Sequence, residues 1–169
     1  MRTPPRDSPV AAGSAILAIV AVVGAVSGCA SADLQVGDCL RMGGPPDNPD
    51  AAEVPCGTPE STHKIAAIVQ DEAECPADVD SYYSMRSTFD DATTTVCLDI
   101  DWVVGGCMSI DPTDEADPVR ADCADPAAPH LQRVTEILDD VADVDQCVSG
   151  TGYAYEDRQF TVCVEHVEV

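Results

Sequence analysis

Cysteine and histidine have the widest chemical reach of the residues in this chain, and their spacing narrows what they do. His63 follows Cys56 by seven positions, and His130 follows Cys123 by seven. A cysteine thiolate beside a histidine base is a nucleophile for acyl or thiol chemistry. The remaining cysteines oppose that use. Apart from Cys29 there are eight, Cys39, Cys56, Cys75, Cys97, Cys107, Cys123, Cys147 and Cys163. An even set in an exported chain points to four disulfides, and a disulfide sulfur has no thiolate to attack with. The cysteine–histidine pair is also duplicated without a third residue to orient it. We therefore expect His63 and His130 to cap a turn or bond a backbone carbonyl at the start of the next strand, and His166 to lie on the surface.

Other chemistry is thinly represented. Zinc sites use closely spaced cysteine pairs, whereas the nearest two here, Cys97 and Cys107, are ten positions apart. The run Asp111-Pro112-Thr113-Asp114-Glu115-Ala116-Asp117 offers oxygen ligands, but without the glycine-pivoted spacing of a calcium loop it reads as a solvated turn. There is no G-x-S-x-G, H-E-x-x-H or phosphate loop. No metal and no cofactor are expected. The sequence indicates a binding or scaffolding module and not an enzyme; the alternative is a small extracytoplasmic thiol oxidoreductase using one labile cysteine pair.

The first residues say where such a module works. Arg2 and Arg6 precede an apolar run from Val10 to Val26, which is the layout of a secretory signal. The run is a little short for a membrane span, which needs about 20 residues. It ends in Val26-Ser27-Gly28-Cys29, which resembles the lipobox of bacterial lipoproteins. That resemblance implies a diacylglyceryl group on the Cys29 sulfur and cleavage before it. The expected product has residues 1–28 removed as signal peptide and residues 29–33 as a lipidated tether. It is anchored on the outer face of the cytoplasmic membrane.

Charge restricts the partners. Without Arg2, Arg6 and Asp7 of the leader, the 8 Lys+Arg and 31 Asp+Glu of the whole chain become 6 and 30, a net charge of −24. Nucleic acid is excluded, because phosphate binding needs a basic face. Anionic headgroups repel such a domain, so the lipid on Cys29 must do the anchoring. The acidity itself serves solubility. The remaining partner classes are an envelope protein or a cell-wall polymer. With one Trp, four Tyr and two Phe the core lacks large side chains, and cross-links compensate. Each bridge of this loop size adds about 3 kcal/mol in the loop-entropy model.

The elements that carry these cysteines are repeated. Leu34-Gln35-Val36-Gly37-Asp38-Cys39-Leu40 matches Trp102-Val103-Val104-Gly105-Gly106-Cys107-Met108 at an offset of 68. Cys56, Pro59 and His63 match Cys123, Pro126 and His130 at 67, and Thr95-Val96-Cys97-Leu98-Asp99 matches Thr161-Val162-Cys163-Val164-Glu165 at 66. Cys75 and Cys147 fill the last place, followed by Tyr82 and Tyr83, then Tyr153 and Tyr155. The chain thus divides into a first four-cysteine unit, 34–101, and a second, 102–169, packed on the first across a short junction with Trp102 near the boundary. A unit this small is marginal alone.

Apolar β-branched stretches predict strands at 34–42, 64–70, 94–100, 102–110, 131–138 and 160–168. Tyr82, Met85 and Phe89, with Asp80 as N-cap, predict a short amphipathic helix after Cys75. The corresponding second stretch is six residues shorter and holds Gly150 and Gly152, which oppose a helix. The fold class expected is α+β and β-rich, a tandem duplication of a small disulfide-stapled antiparallel sheet with a short helix. Each Gly-x-Cys strand and the next cysteine flank turn-rich sequence, so bridges between sequence neighbours are expected: Cys39–Cys56, Cys75–Cys97, Cys107–Cys123 and Cys147–Cys163.

Val36-Gly37-Asp38-Cys39, then Val54-Pro55-Cys56 and His63 seven residues on, resemble the septum-formation domain of actinobacterial exported proteins. The likeness continues through Cys75-Pro76-Ala77-Asp78-Val79-Asp80-Ser81-Tyr82-Tyr83-Ser84-Met85-Arg86 and Asp99-Ile100-Asp101-Trp102-Val103, and covers essentially the whole mature chain. The family form of the second motif is cysteine, a short spacer, then Pro-His. Pro129-His130 keeps it, whereas Thr62-His63 departs from it. The resemblance implies an envelope location, a disulfide-bearing fold and a link to septum formation.

Overall fold

Ten strands form two separate five-stranded antiparallel sheets in the computed structural model, which describes residues 34–44, 50–86, 92–113 and 116–168. The expectations for the signal segment, Cys29 and its tether, the turn at 45–49, Phe89, and Asp114 and Glu115 lie outside the described residues. The first sheet holds β1 (Cys39–Gly43), β2 (Asp50–Val54), β3 (His63–Val69), β4 (Ser81–Arg86) and β5 (Thr93–Ile100), in the order β2-β1-β3-β5-β4. The second holds β6 (Cys107–Ser109), β7 (Val119–Ala121), β8 (Leu131–Asp139), β9 (Gly152–Tyr155) and β10 (Phe160–His166), in the order β7-β6-β8-β10-β9. The two orders are the same topology written twice. Both sheets belong to one compact unit of the chain.

Local chemistry explains the central strands. β5 is rich in β-branched residues, and Thr95, Val96, Cys97 and Leu98 are all buried, as expected of a strand covered on both faces. Leu40, Ile65, Val96 and Leu98 make the first core, with Tyr83 and Met42 packed against it. Val134, Tyr155, Val162 and Val164 make the second, with Trp102 and Phe160 alongside. Entry to each sheet is set by a glycine in the left-handed region, Gly37 at φ 96° and Gly105 at φ 82°. Their amides donate to Ile65 O at 2.9 Å and Val134 O at 2.8 Å. A residue with a Cβ would be strained in that conformation. A β-bulge is repeated too: Ala66 is skipped opposite Leu98 and Cys97, and Thr135 opposite Val164 and Cys163.

All four disulfides join sequence neighbours: Cys39–Cys56, Cys75–Cys97, Cys107–Cys123 and Cys147–Cys163, with Cα–Cα distances of 5.0, 5.7, 5.2 and 5.4 Å. In each repeat one bridge ties the β1-type strand to the turn after its hairpin partner. The other pins a one-turn 3-10 segment, Glu72–Glu74 or Val144–Gln146, to the last strand.

The α+β label and the short helix need correction. Among the described residues helical geometry is confined to those two 3-10 turns. The stretch expected as a helix is β4, paired with β5 from Ser81↔Leu98 to Arg86↔Thr93. Tyr83 points to the core, while Tyr82 and Met85, meant for a buried helical face, are 50% and 41% exposed. A helix here would leave the outer edge of the buried strand β5 without hydrogen-bond partners. Pairing satisfies it, and a tyrosine pair suits a half-buried strand. Four strands, β2, β4, β7 and β9, were not expected. The first and fourth expected strands also shrink, because 34–38 and 102–106 lie in turns and loops instead.

Candidate functional site at the seam between the repeats

Side chains of opposite charge gather where the two repeats meet. Asp101, just after β5, is 4% exposed. Its Oδ2 accepts from Gly57 N at 2.7 Å, from Ser61 Oγ at 2.6 Å and from Arg120 Nη2 at 3.0 Å. Arg120 stands on β7 of the second repeat and also donates to Ser61 O, 3.1 Å, and to Asp101 O. At a second contact Arg158, in the turn from β9 to β10, donates to Asp78 Oδ1 at 2.8 Å, to Asp78 O at 3.0 Å and to Asp99 Oδ2. Burial pulls the Arg158 pKa down, but Asp99 and Asp78 outweigh it and raise it above its ordinary value. Burial raises Asp99 against the pull of Arg158. Its Oδ1 has no hydrogen-bond partner among the described residues, which explains why one guanidinium does not fully compensate it.

Between these contacts runs a chain of hydrogen bonds. Trp102 Nε1 donates to Tyr155 OH at 2.8 Å, and Tyr155 OH donates to Asp80 Oδ2 at 2.8 Å. Asp80 Oδ2 also accepts from Ile100 N at 2.7 Å. Burial of this oxygen is the main cause that pushes the Asp80 pKa up to about 6, against the bonds from Ile100 and Tyr155. The residue as a whole is exposed, so water on its open side limits that penalty. Burial, followed by the Asp80 charge, likewise drives Tyr155 far up, so it stays a donor. The Tyr155 ring stacks on Phe160 at 4.2 Å and Trp102 on Tyr153 at 5.0 Å, while the Arg158 guanidinium lies over Tyr155 at 5.0 Å. Such a ring face favours a cation.

His63 faces the same seam. It is 2% exposed, with Nδ1 2.9 Å from Thr62 Oγ1. Burial lowers its pKa, opposed by Asp117 and Asp101, so the ring is held neutral. The expected bond to a backbone carbonyl is not among its contacts. His63 lines a groove of about 490 Å³ with Val79, Asp80, Asp111, Asp117 and Tyr153. It also lines an adjoining groove of about 520 Å³ running along Tyr82, Tyr83 and Met42. Another cleft, of about 650 Å³, lies against β7 and includes His130 and Arg120, but that arginine is already engaged with Asp101.

The two histidines are not equivalents, which corrects the sequence alignment. Cys39 pairs with Lys64 and Leu40 with His63; Cys107 pairs with Arg133 and Met108 with Gln132. Gln132 therefore occupies the place of His63, and it accepts a hydrogen bond from Tyr153 OH at 2.8 Å. His130 is exposed, has φ 51°, and matches the position of Ser61. The turn after Cys123 is two residues longer than the turn after Cys56, so the shared spacing of seven is coincidental. His166 is exposed, opposite Gln132.

The eight described cysteines are all bridged. The one group of metal-type ligands close together among the described residues, Cys39, Cys56 and Asp101, spends both sulfurs on a disulfide. Asp111 Oδ1 accepts from Thr113 N at 2.9 Å, closing a turn. The seam residues Asp78, Asp80, Asp99, Asp101, Arg120 and Arg158 were missed as a set. The available signal was scarcity: in a chain with 8 Lys+Arg, each arginine beside an apolar strand is a candidate for a structural ion pair. No family model, curated protein or solved structure matches this chain.

Proposed function

We propose that the chain is an exported lipoprotein, anchored through Cys29 to the outer face of the cytoplasmic membrane, whose paired sheets form a non-catalytic binding or scaffolding module. The observation that carries this reading is the closed set of four disulfides. It suits an oxidising compartment, and it leaves the cysteine sulfurs of the described residues no thiolate for chemistry. Heterologous ion pairs between the repeats support a single rigid body, which is what a binding platform needs to hold a surface in one shape. The partner is an envelope protein or a cell-wall polymer, and the resemblance to septum-formation domains directs the search to the septum.

Two measurements test this. Cys29→Ala is expected to remain uncleaved and to take up no clickable fatty acid; normal maturation of that variant overturns the anchoring. Proximity labelling from the anchored protein is expected to mark envelope components. A disulfide that is readily reduced in the purified protein, releasing a low-pKa thiol, would instead support thiol oxidoreductase activity.

A further inference from the structure

We propose that the outer edge of β4 takes an extended, basic peptide segment of a partner protein as a sixth strand of the first sheet. This rests on the binding-module reading and names the surface and the chemistry of the partner. β4 is the last strand of its sheet and pairs only with β5 among the described residues. A strand paired on one side leaves alternate N–H and C=O groups along its other edge as a template for another chain. Natural sheets blunt such edges, and the other three edges of this molecule are blunted. β2 carries Asp50 and Glu53, both exposed. β7 and β9 have three and four residues, and their Arg120 and Tyr155 are engaged at the seam. β4 is longer, at six residues, and contains no Asp or Glu in a chain that has 31. It exposes Tyr82 at 50% and Met85 at 41%, three positions apart and so on opposite faces of the strand. An added strand meets an apolar side chain on either face.

A groove opens on each face of β4. One, of about 520 Å³, is lined by Tyr83 and Leu98; the other, of about 430 Å³, is lined by Tyr82 and by Cys75, which is bridged to Cys97. Leu98 and Cys97 are successive residues of β5, so the grooves lie on opposite faces of the sheet. Side chains of an added strand project to these faces in turn, which is how strand addition gains specificity beyond its backbone bonds. Charge selects the occupant. Neither groove has Lys or Arg in its lining, while Asp117 lines the first and Glu72 and Asp80 line the second. Glu72 also accepts from the Tyr82 hydroxyl beside it. A second copy of a chain with net charge −23 is repelled from this surface, whereas a segment with Lys or Arg at alternate positions is attracted.

The test uses the full chain in detergent with the peptide acetyl-Lys-Val-Lys-Val-Lys-Val-amide, read by calorimetry and by amide hydrogen exchange. Saturable binding is expected, with exchange slowed over 81–86. The same peptide with every backbone nitrogen methylated keeps its charges but has no N–H donors, and is expected not to bind. Met85→Lys puts a like charge on the edge and is expected to weaken binding severalfold with the thermal midpoint retained. Val148→Lys makes the same change of charge at a fully exposed site of the second repeat and is expected to leave affinity unchanged. If Met85→Lys melts early, the methylated peptide and the exchange map decide the matter on the unsubstituted chain. No saturable binding, equal binding of the methylated peptide, slowed exchange only outside β4, or equal effects of the two substitutions at equal midpoints overturns the proposal. So does a dimer of the chain that protects β4 without peptide, which would assign the edge to a second copy. Those failures leave the lipoprotein reading intact, because it is tested by Cys29 processing and labelled neighbours.

Discussion

Arg158 Nε lies 2.8 Å from Asp78 Oδ1, and the same guanidinium bridges to Asp99 on β5, so one side chain of the second repeat holds two carboxylates of the first. The relation is not reciprocal. Glu165, the counterpart of Asp99, pairs within its own sheet with Arg133 at 3.1 Å, where both are far more exposed. The duplicated halves therefore join through residues that differ between the copies.

Arg158→Ala strands Asp78 and Asp99 without their cation. The expected loss is about 2–4 kcal/mol, because the pair is largely but not wholly buried. Thermal unfolding should fall by roughly 5–15 °C. Adding Asp99→Asn to Arg158→Met should recover part of it, since the charge that needed a partner is gone. A loss below half a kcal/mol would show that the clamp is ornamental.

Asp101 is the more deeply buried anchor. Asp101→Ala removes the acceptor for Gly57 N, Ser61 Oγ and Arg120, and is expected to cost about 3–5 kcal/mol. A double-mutant cycle with Arg120→Ala should give a coupling of roughly 1–3 kcal/mol in denaturant titrations. Additive losses would mean that the two side chains act independently.

Gly152 tests the packing of the last bridge. A Cβ there would meet Val162 O at 2.5 Å and Cys147 Sγ at 3.1 Å. Gly152→Ala should destabilise by about 1–3 kcal/mol or more. Gly43→Ala, with nothing within 4 Å, should stay within about half a kcal/mol. Equal melting temperatures for the two variants would contradict the β9–β10 register.

Asp80 gives stability a defined dependence on pH. Its folded pKa is pushed from 3.8 up to about 6, so the folded state holds the proton more tightly than the unfolded chain does. The favourable contribution is fully present below 3.8 and is lost as pH rises through about 6. Other carboxylates titrate as well, Asp99 among them. The informative quantity is therefore the difference between wild type and Asp80→Asn, read as urea midpoints across that window. The wild type should lose stability relative to the variant as pH rises. A flat difference would place the Asp80 proton elsewhere.

Much of the plan was legible in the sequence because it is written in local spacings. Each disulfide closes a separation of only 16 to 22 residues, and three of the four cysteine offsets between the copies lie within two positions of one another, so pairing and duplication could both be read along the chain. β3, β5, β8 and β10 carried their own signal in β-branched residues that are buried in the sheet. β2, β7 and β9 did not, since Asp50-Ala51-Ala52-Glu53-Val54, Val119-Arg120-Ala121 and Gly152-Tyr153-Ala154-Tyr155 are strands because a neighbouring edge offers hydrogen bonds. The same force made β4 a strand, although the spacing of Tyr82 and Met85 suited a helix. His63 and His130 show the opposite failure: an identical interval of seven residues concealed a two-residue difference in turn length, which only the register of β3 and β8 reveals. The seam was beyond the sequence altogether. Arg158 and Asp78 are 80 positions apart, and their meeting depends on how two completed sheets dock, a property of shape and desolvation that no local pattern of residues encodes.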